Sequence, residues 1–173
     1  MFKAVRDSLL SLVYPKQCRA CDRAVESIDD GDACPSCWRE TRLFDGTQML
    51  CAKCGAYFGD SAAAIDVFCR RCDDHHYDRA VAGGVYERAI AAAIASLKSV
   101  PIIPTRVADL LISTWDRSGF ANIDLIIPVP LSDRRRVERG FNQAEVIGTI
   151  ISKCAGIPID CHSLIRKTHT PIH

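Results

Sequence analysis

Large side chains are scarce in this 173-residue chain, which has two tryptophans, four tyrosines, six phenylalanines and two methionines. The shortage matters most in residues 18–76, where Trp38, Leu43, Phe44, Leu50, Tyr57, Phe58 and Phe68 are too few for a self-sufficient core. A segment of that kind must be stapled by something other than apolar burial. Also missing is any apolar run near the ~20 residues that a bilayer-spanning helix needs, so no membrane span is expected. An excess of charge is missing too, since the net charge is +1. Residues 1–76 carry 10 basic and 12 acidic side chains, a net of −2, against 12 and 9 in residues 77–173. A generic phosphate-gripping finger would be basic, so composition argues against that reading for the N-terminal part, though local basic patches remain able to bind DNA. Residues 1–15 do not read as an export signal, because Ser11 breaks the apolar run and no small-residue cleavage site follows. The chain is expected in the cytoplasm, with residues 1–17 as a leader helix.

What the chain has in abundance is cysteine. Eight of its ten cysteines form four Cys-x-x-Cys pairs, Cys18/Cys21, Cys34/Cys37, Cys51/Cys54 and Cys69/Cys72. Two intervening residues let both sulfurs reach one ion from a tight knuckle, and two knuckles complete a tetrahedral zinc site of four thiolates. Disulfides would need an oxidising compartment, and a redox Cys-x-x-Cys normally occurs once, at a helix start in a βαβ unit. The pattern therefore implies two structural zinc ions held by thiolates alone, whose binding supplies the missing folding free energy. Gly55, directly after Cys54, suits a knuckle residue with positive φ. His75 and His76 read as surface loop histidines. Four knuckles can share two ions as neighbours, as a cross-brace or nested. Loop-closure entropy favours neighbours, though by only about 1 kcal/mol, and sequential pairing is the expectation.

After His76 the texture becomes that of an α/β domain. Residues 80–86 (AVAGGVY) read as a short strand with glycines at a close approach. A helix is expected from Glu87 with Ile90, Ala93, Ile94 and Leu97 on its face, and a second from Pro104 with Val107, Leu110, Leu111 and Trp115. Residues 123–127 (IDLII) have the continuous apolar character of a strand buried on both faces of a parallel sheet. The strand runs into Pro128-Val129-Pro130, then Arg134, Arg135, Arg136 and Arg139, then Gly140. Asn142 and Glu145 read as a capping box opening a helix that buries Ala144, Ile147, Ile151 and Cys154 and stops at Gly156. Strand end, rigid turn, arginines and helix N-terminus together suit a phosphate or pyrophosphate. The competing reading is a plain turn followed by a solvated arginine face.

At these residues the chain resembles a known family. Pro128-Val129-Pro130-Leu131 followed by Arg139-Gly140-Phe141-Asn142-Gln143-Ala144-Glu145 resembles the ComF family, which is associated with DNA uptake in competence. Tyr14-Pro15, the four cysteine pairs, Tyr86-Glu87 and Leu97-Lys98 stand in that family's order. The resemblance implies a double zinc ribbon over residues 18–76 and a type I phosphoribosyltransferase-like parallel sheet over residues 77–173. It implies phosphoribosyl pyrophosphate with magnesium as donor in the full-length family, and single-stranded DNA or DNA-uptake proteins as partners. Pro128, Val129, Pro130, Arg139, Gly140, Asn142 and Gln143 become the candidate pyrophosphate residues, and no residue is singled out as catalytic. The family's acidic pair and Thr-Thr-Gly phosphate loop do not occur in these 173 residues. The domain is therefore expected to be incomplete at its C-terminus, inactive in transfer, and prone to self-association through an open sheet edge. The alternative function is a zinc-ribbon adaptor that binds single-stranded DNA or a partner protein.

Overall fold

The computed structural model describes residues 16–61 and 65–168. The proposed leader helix falls mostly outside them. Its last two residues, Lys16–Gln17, form strand β1, which pairs antiparallel with β2 (Ala24–Val25). A 3-10 turn (Ile28–Asp30) leads to α1 (Pro35–Glu40), where Cys34 is the N-cap and Pro35 supplies a first-turn residue that needs no N–H partner. A second antiparallel pair, β3 (Met49–Leu50) and β4 (Tyr57–Gly59), and a 3-10 turn (Arg70–Cys72) repeat this plan. Four helices follow: α2 (Arg88–Ser96), α3 (Thr105–Arg117), α4 (Asp133–Arg139) and α5 (Gln143–Ala155).

The principal core belongs to the first cysteine-rich unit. Cys18, Val25, Ala33, Cys34, Cys37 and Trp38 pack with Ala89 and Ala92 of α2, with Val107 and Leu110 of α3 against the cluster. Trp38 is 2% exposed; its Nε1 donates to the Asp30 carbonyl at 3.0 Å, and the Arg106 guanidinium lies 4.8 Å from its ring centroid. Arg106 also pairs with Asp30 at 2.8 Å. Arg42 grips Glu87 through Nε and Nη2 at 3.0 and 2.9 Å, and Thr41 Oγ1 accepts from the Ala89 N–H. The helices thus complete a core that the small ribbon cannot build alone.

Several expectations are corrected here. Residues 80–86 form no strand; a single antiparallel bridge joins Leu43 to Gly84. Gly84 is where the backbones nearly touch, since a Cβ there would lie 2.6 Å from the Arg42 carbonyl oxygen and 2.7 Å from Ile90 Cδ1. The buried residues of α2 are Ala89 and Ala92, joined by Leu97 just past its end, while Ile94 is exposed. Close packing of α2 on α1 selects the small side chains. The expected parallel sheet is also absent among the described residues, whose sheets are two antiparallel pairs. Residues 123–127 make one parallel bridge, Ile126 with Ile159, held by Ile126 N–H to Pro158 O and Asp160 N–H to Ile126 O. Pro128 and Pro158 carry no N–H and so limit this ladder. Without a third strand, Ile123, Leu125 and Ile127 stay 38%, 41% and 44% exposed instead of buried on both faces. Helix α5 covers one side, with Gly148 seated over Ile159, Ile126 and Pro128, whereas Cys154 is exposed rather than packed.

Candidate metal centres and the Pro-Val-Pro turn

Each cysteine quartet is assembled from two unlike knuckles. The first knuckle is a turn: the residue after its second cysteine donates its N–H to the first cysteine's carbonyl, Asp22 to Cys18 at 2.8 Å and Gly55 to Cys51 at 2.9 Å. Both residues need positive φ, 61° at Asp22 and 69° at Gly55. Glycine meets that demand freely, and aspartate is among the few side chains that tolerate it. The second knuckle is a helical start. Cys34 caps α1 and Cys69 caps the Arg70–Cys72 turn, which brings Cys37 and Cys72 back beside their partners.

The result is two clusters, Cys18/Cys21/Cys34/Cys37 and Cys51/Cys54/Cys69/Cys72, with the sulfurs of each all within 4.8 Å of one another. Cys18 Sγ lies 3.7 Å from Cys37 Sγ and Cys21 Sγ 3.5 Å from Cys34 Sγ. In the second cluster, Cys51–Cys72 is 3.7 Å, and Cys54–Cys69 and Cys69–Cys72 are both 3.5 Å. Zinc–sulfur bonds of ~2.3 Å place tetrahedral vertices about 3.8 Å apart, close to these separations. A disulfide needs ~2.05 Å, and all ten cysteines are free thiols. The quartets fit two structural zinc ions, shared between sequence neighbours.

The thiols are also electrically sorted. Burial pushes Cys18 up, but the N–H groups of Cys34, Ala20 and Cys21 outweigh it and hold the thiol down at about 7. Burial likewise works against Cys51, and N–H donors of Cys54, Cys69 and Lys53 bring it to about 6. Burial and the surrounding thiols drive Cys37 upward, and push Cys72 up to about 12. Each quartet thus pairs an easily deprotonated thiol with one that gives up its proton to solvent only when a metal ion binds, so metal uptake releases protons. His75 and His76 are exposed, and His75 Nδ1 meets the Tyr77 hydroxyl at 2.8 Å instead of joining the sulfurs.

The second candidate region gathers around Asn142. Its Oδ1 caps α5 by accepting the Ala144 N–H at 3.0 Å, while Nδ2 donates to the Val129 carbonyl at 3.0 Å. One buried side chain therefore ties the Pro-Val-Pro turn to the helix start. The capping box takes a modified form, in which Glu145 Oε1 accepts from Asn142 Nδ2 at 3.4 Å and from Arg136 Nη2 at 2.9 Å. Pro128 is buried and Val129 is 68% exposed. The arginines lie on α4, which the sequence reading missed, although Ser132 before it, Asp133 in its first turn and Gly140 after it are start and stop signals. Arg134 is occupied by Glu138 and Arg136 by Glu145, whereas Arg135 and Arg139 are half-buried. Gly140 takes φ 75° and returns its N–H to Arg136 O. Gln143 Nε2 is buried with no partner among the described residues.

Comparison with known proteins bears on the first region. Residues 9–73 match the family model of the double zinc ribbon domain, a span that contains both quartets. No curated protein and no solved structure matched the chain. Among the described residues no helix is long and apolar enough to cross a membrane.

Proposed function

We propose that this is a ComF-like protein of the phosphoribosyltransferase family, linked to DNA uptake or nucleotide metabolism. In this reading residues 18–76 form the zinc-ribbon module and residues 77–173 hold part of a donor site. The observation that carries it is the crossover between the parallel-bridged residues Ile126 and Ile159. It passes through the Pro-Val-Pro turn, α4 and α5, with Asn142 locking the turn onto the α5 N-terminus. The end of the singly bridged segment 123–127 and the α5 N-terminus converge there, an arrangement similar to the anion sites of open α/β folds. Arg135 and Arg139 supply charge for a pyrophosphate, and Gln143 Nε2 supplies an unused donor. Phosphoribosyl transfer by these 173 residues alone is not expected, because no acidic pair leading into a Gly-rich loop occurs in them.

The test is calorimetric titration of magnesium pyrophosphate into the full chain. Arg139→Ala should weaken binding by about 1.5–3 kcal/mol, the scale of a charged hydrogen bond. Affinity unchanged by that substitution returns Arg139 to a solvated face. A second reading, a zinc-ribbon adaptor, draws on the second ribbon, which exposes Phe58, Phe68 and Tyr77 in a segment that also carries Lys53, Arg70 and Arg71. Aromatic rings among cations are what single-stranded nucleic acid stacks on. Saturable binding of single-stranded DNA in place of pyrophosphate would favour it.

A further inference from the structure

A cleft of about 350 Å³ opens between the second ribbon and the C-terminal end of α3. Its apolar lining includes Phe44, Leu50, Val67 and Val81, and its polar lining includes Arg79, Arg117 and Asp66. Phe44 is 5% exposed and stacks on Tyr57 at 5.7 Å, so this wall is fixed. Arg117 Nη2 donates to the Phe44 carbonyl at 2.5 Å, which anchors the guanidinium at the cleft and leaves its other N–H groups available. Elsewhere Arg42, Arg88, Arg106, Arg134 and Arg136 each hold a carboxylate. Among the described residues neither Arg79 nor Arg117 pairs with one, although Asp66 lines the same cleft.

From this geometry we infer that the cleft is a binding site for a small carboxylate with an apolar body. The charged side chains lining the cleft are two guanidinium groups and one carboxylate, and the four-thiolate zinc centre behind its Cys51 wall adds negative charge, so the site suits a monoanion better than a polyphosphate. Guanidinium N–H pairs match a carboxylate in bidentate geometry. The volume lies at the low end for ligand pockets, ~300–1,000 Å³, so the body is about the size of a single ring. Zinc chemistry has no part in the site; the turn knuckle of the second quartet only forms one wall, through Cys51 and Gly55.

The experiment titrates three probes into the zinc-loaded full chain and follows the methyl resonances of Leu50, Val67 and Val81. Phenylacetate should shift all three saturably, and benzyl alcohol, which keeps the ring and methylene but no charge, should bind at least ten-fold more weakly. Phenyl phosphate, a dianion at neutral pH, should bind no more tightly than phenylacetate. The double substitution Arg79→Ala/Arg117→Ala should weaken phenylacetate at least ten-fold. Val81→Trp, at a rim residue 38% exposed, should block the cleft and remove the shifts with both zincs retained. Unmoved methyls, equal binding of benzyl alcohol, tighter binding of phenyl phosphate, or an unchanged affinity in either variant would each overturn the assignment.

Discussion

Removing one thiolate from each quartet should have unequal consequences. Cys37→Ser and Cys72→Ser each open one tetrahedron, and a structural zinc contributes on the order of 10 kcal/mol to folding. That is comparable with the whole stability of a domain, ~5–15 kcal/mol, so anything that leans on the lost ion should unfold with it. What leans on each ion differs. Cys18, Cys34 and Cys37 lie in the same buried cluster as Trp38, Ala89 and Ala92, whereas the second quartet contributes nothing to that cluster. Burial of a tryptophan contributes about 3–5 kcal/mol, less than the roughly 10 kcal/mol lost with the ion, so Trp38 cannot hold its place once the first site opens. In a Trp115→Phe background, where only Trp38 reports, Cys37→Ser should shift emission to the red and release the amides of α2 to exchange. Cys72→Ser should keep both signals native and lose protection only around β3 and β4. Elemental analysis should find one zinc in each variant against two in the parent. If Cys72→Ser exposed Trp38 and α2 as fully as Cys37→Ser, the division of labour between the ribbons would be refuted.

Two further outcomes follow from contacts outside the metal sites. Gly84→Ala should lower stability by about 1–3 kcal/mol in urea unfolding, because the new Cβ meets the Arg42 backbone and that atom has nowhere to move. Glu87 is held well below its ordinary value of 4.5, at about 2, by hydrogen bonds from the Arg42 side chain and then the Arg42 N–H. A depressed folded-state carboxyl stabilises fully above its unfolded value and loses that contribution as pH falls toward the folded one. The difference in melting temperature between parent and Glu87→Gln should therefore be flat above pH 4.5 and narrow between 4.5 and 2; a difference that widened on acidification would reverse the assignment.

The zinc sites were legible in the sequence because thiolate spacing is a local property. Eight cysteines and loop lengths of 12 and 14 residues sufficed to expect two neighbour-paired quartets. The helices from Thr105 and Gln143 were legible through periodicity, Pro104 and Asn142. What could not be read was whatever depends on an element distant in sequence. Residues 123–127 look like a doubly buried strand because β-branched runs usually are, yet burial needs neighbours, and here one bridge at Ile159 is the partner found. The face of α2 was misjudged for the same reason, since periodicity cannot tell that the surface opposite demands alanine. Arg79 and Arg117 carry no motif at all; they become a pair only when α3 packs beside the second ribbon.

The shared core also sets a schedule for biosynthesis. The four cysteines of the first quartet are complete once residue 37 has been made, but Ala89 and Ala92, which close over them, come about 50 residues later. At ~5–20 residues per second that is an interval of roughly 3–10 s. During it the nascent ribbon exposes four reactive thiols and an uncovered tryptophan. A metal bound in that interval would sit in the quartet before Ala89 and Ala92 of α2 arrive to pack against Cys18, Cys34 and Cys37.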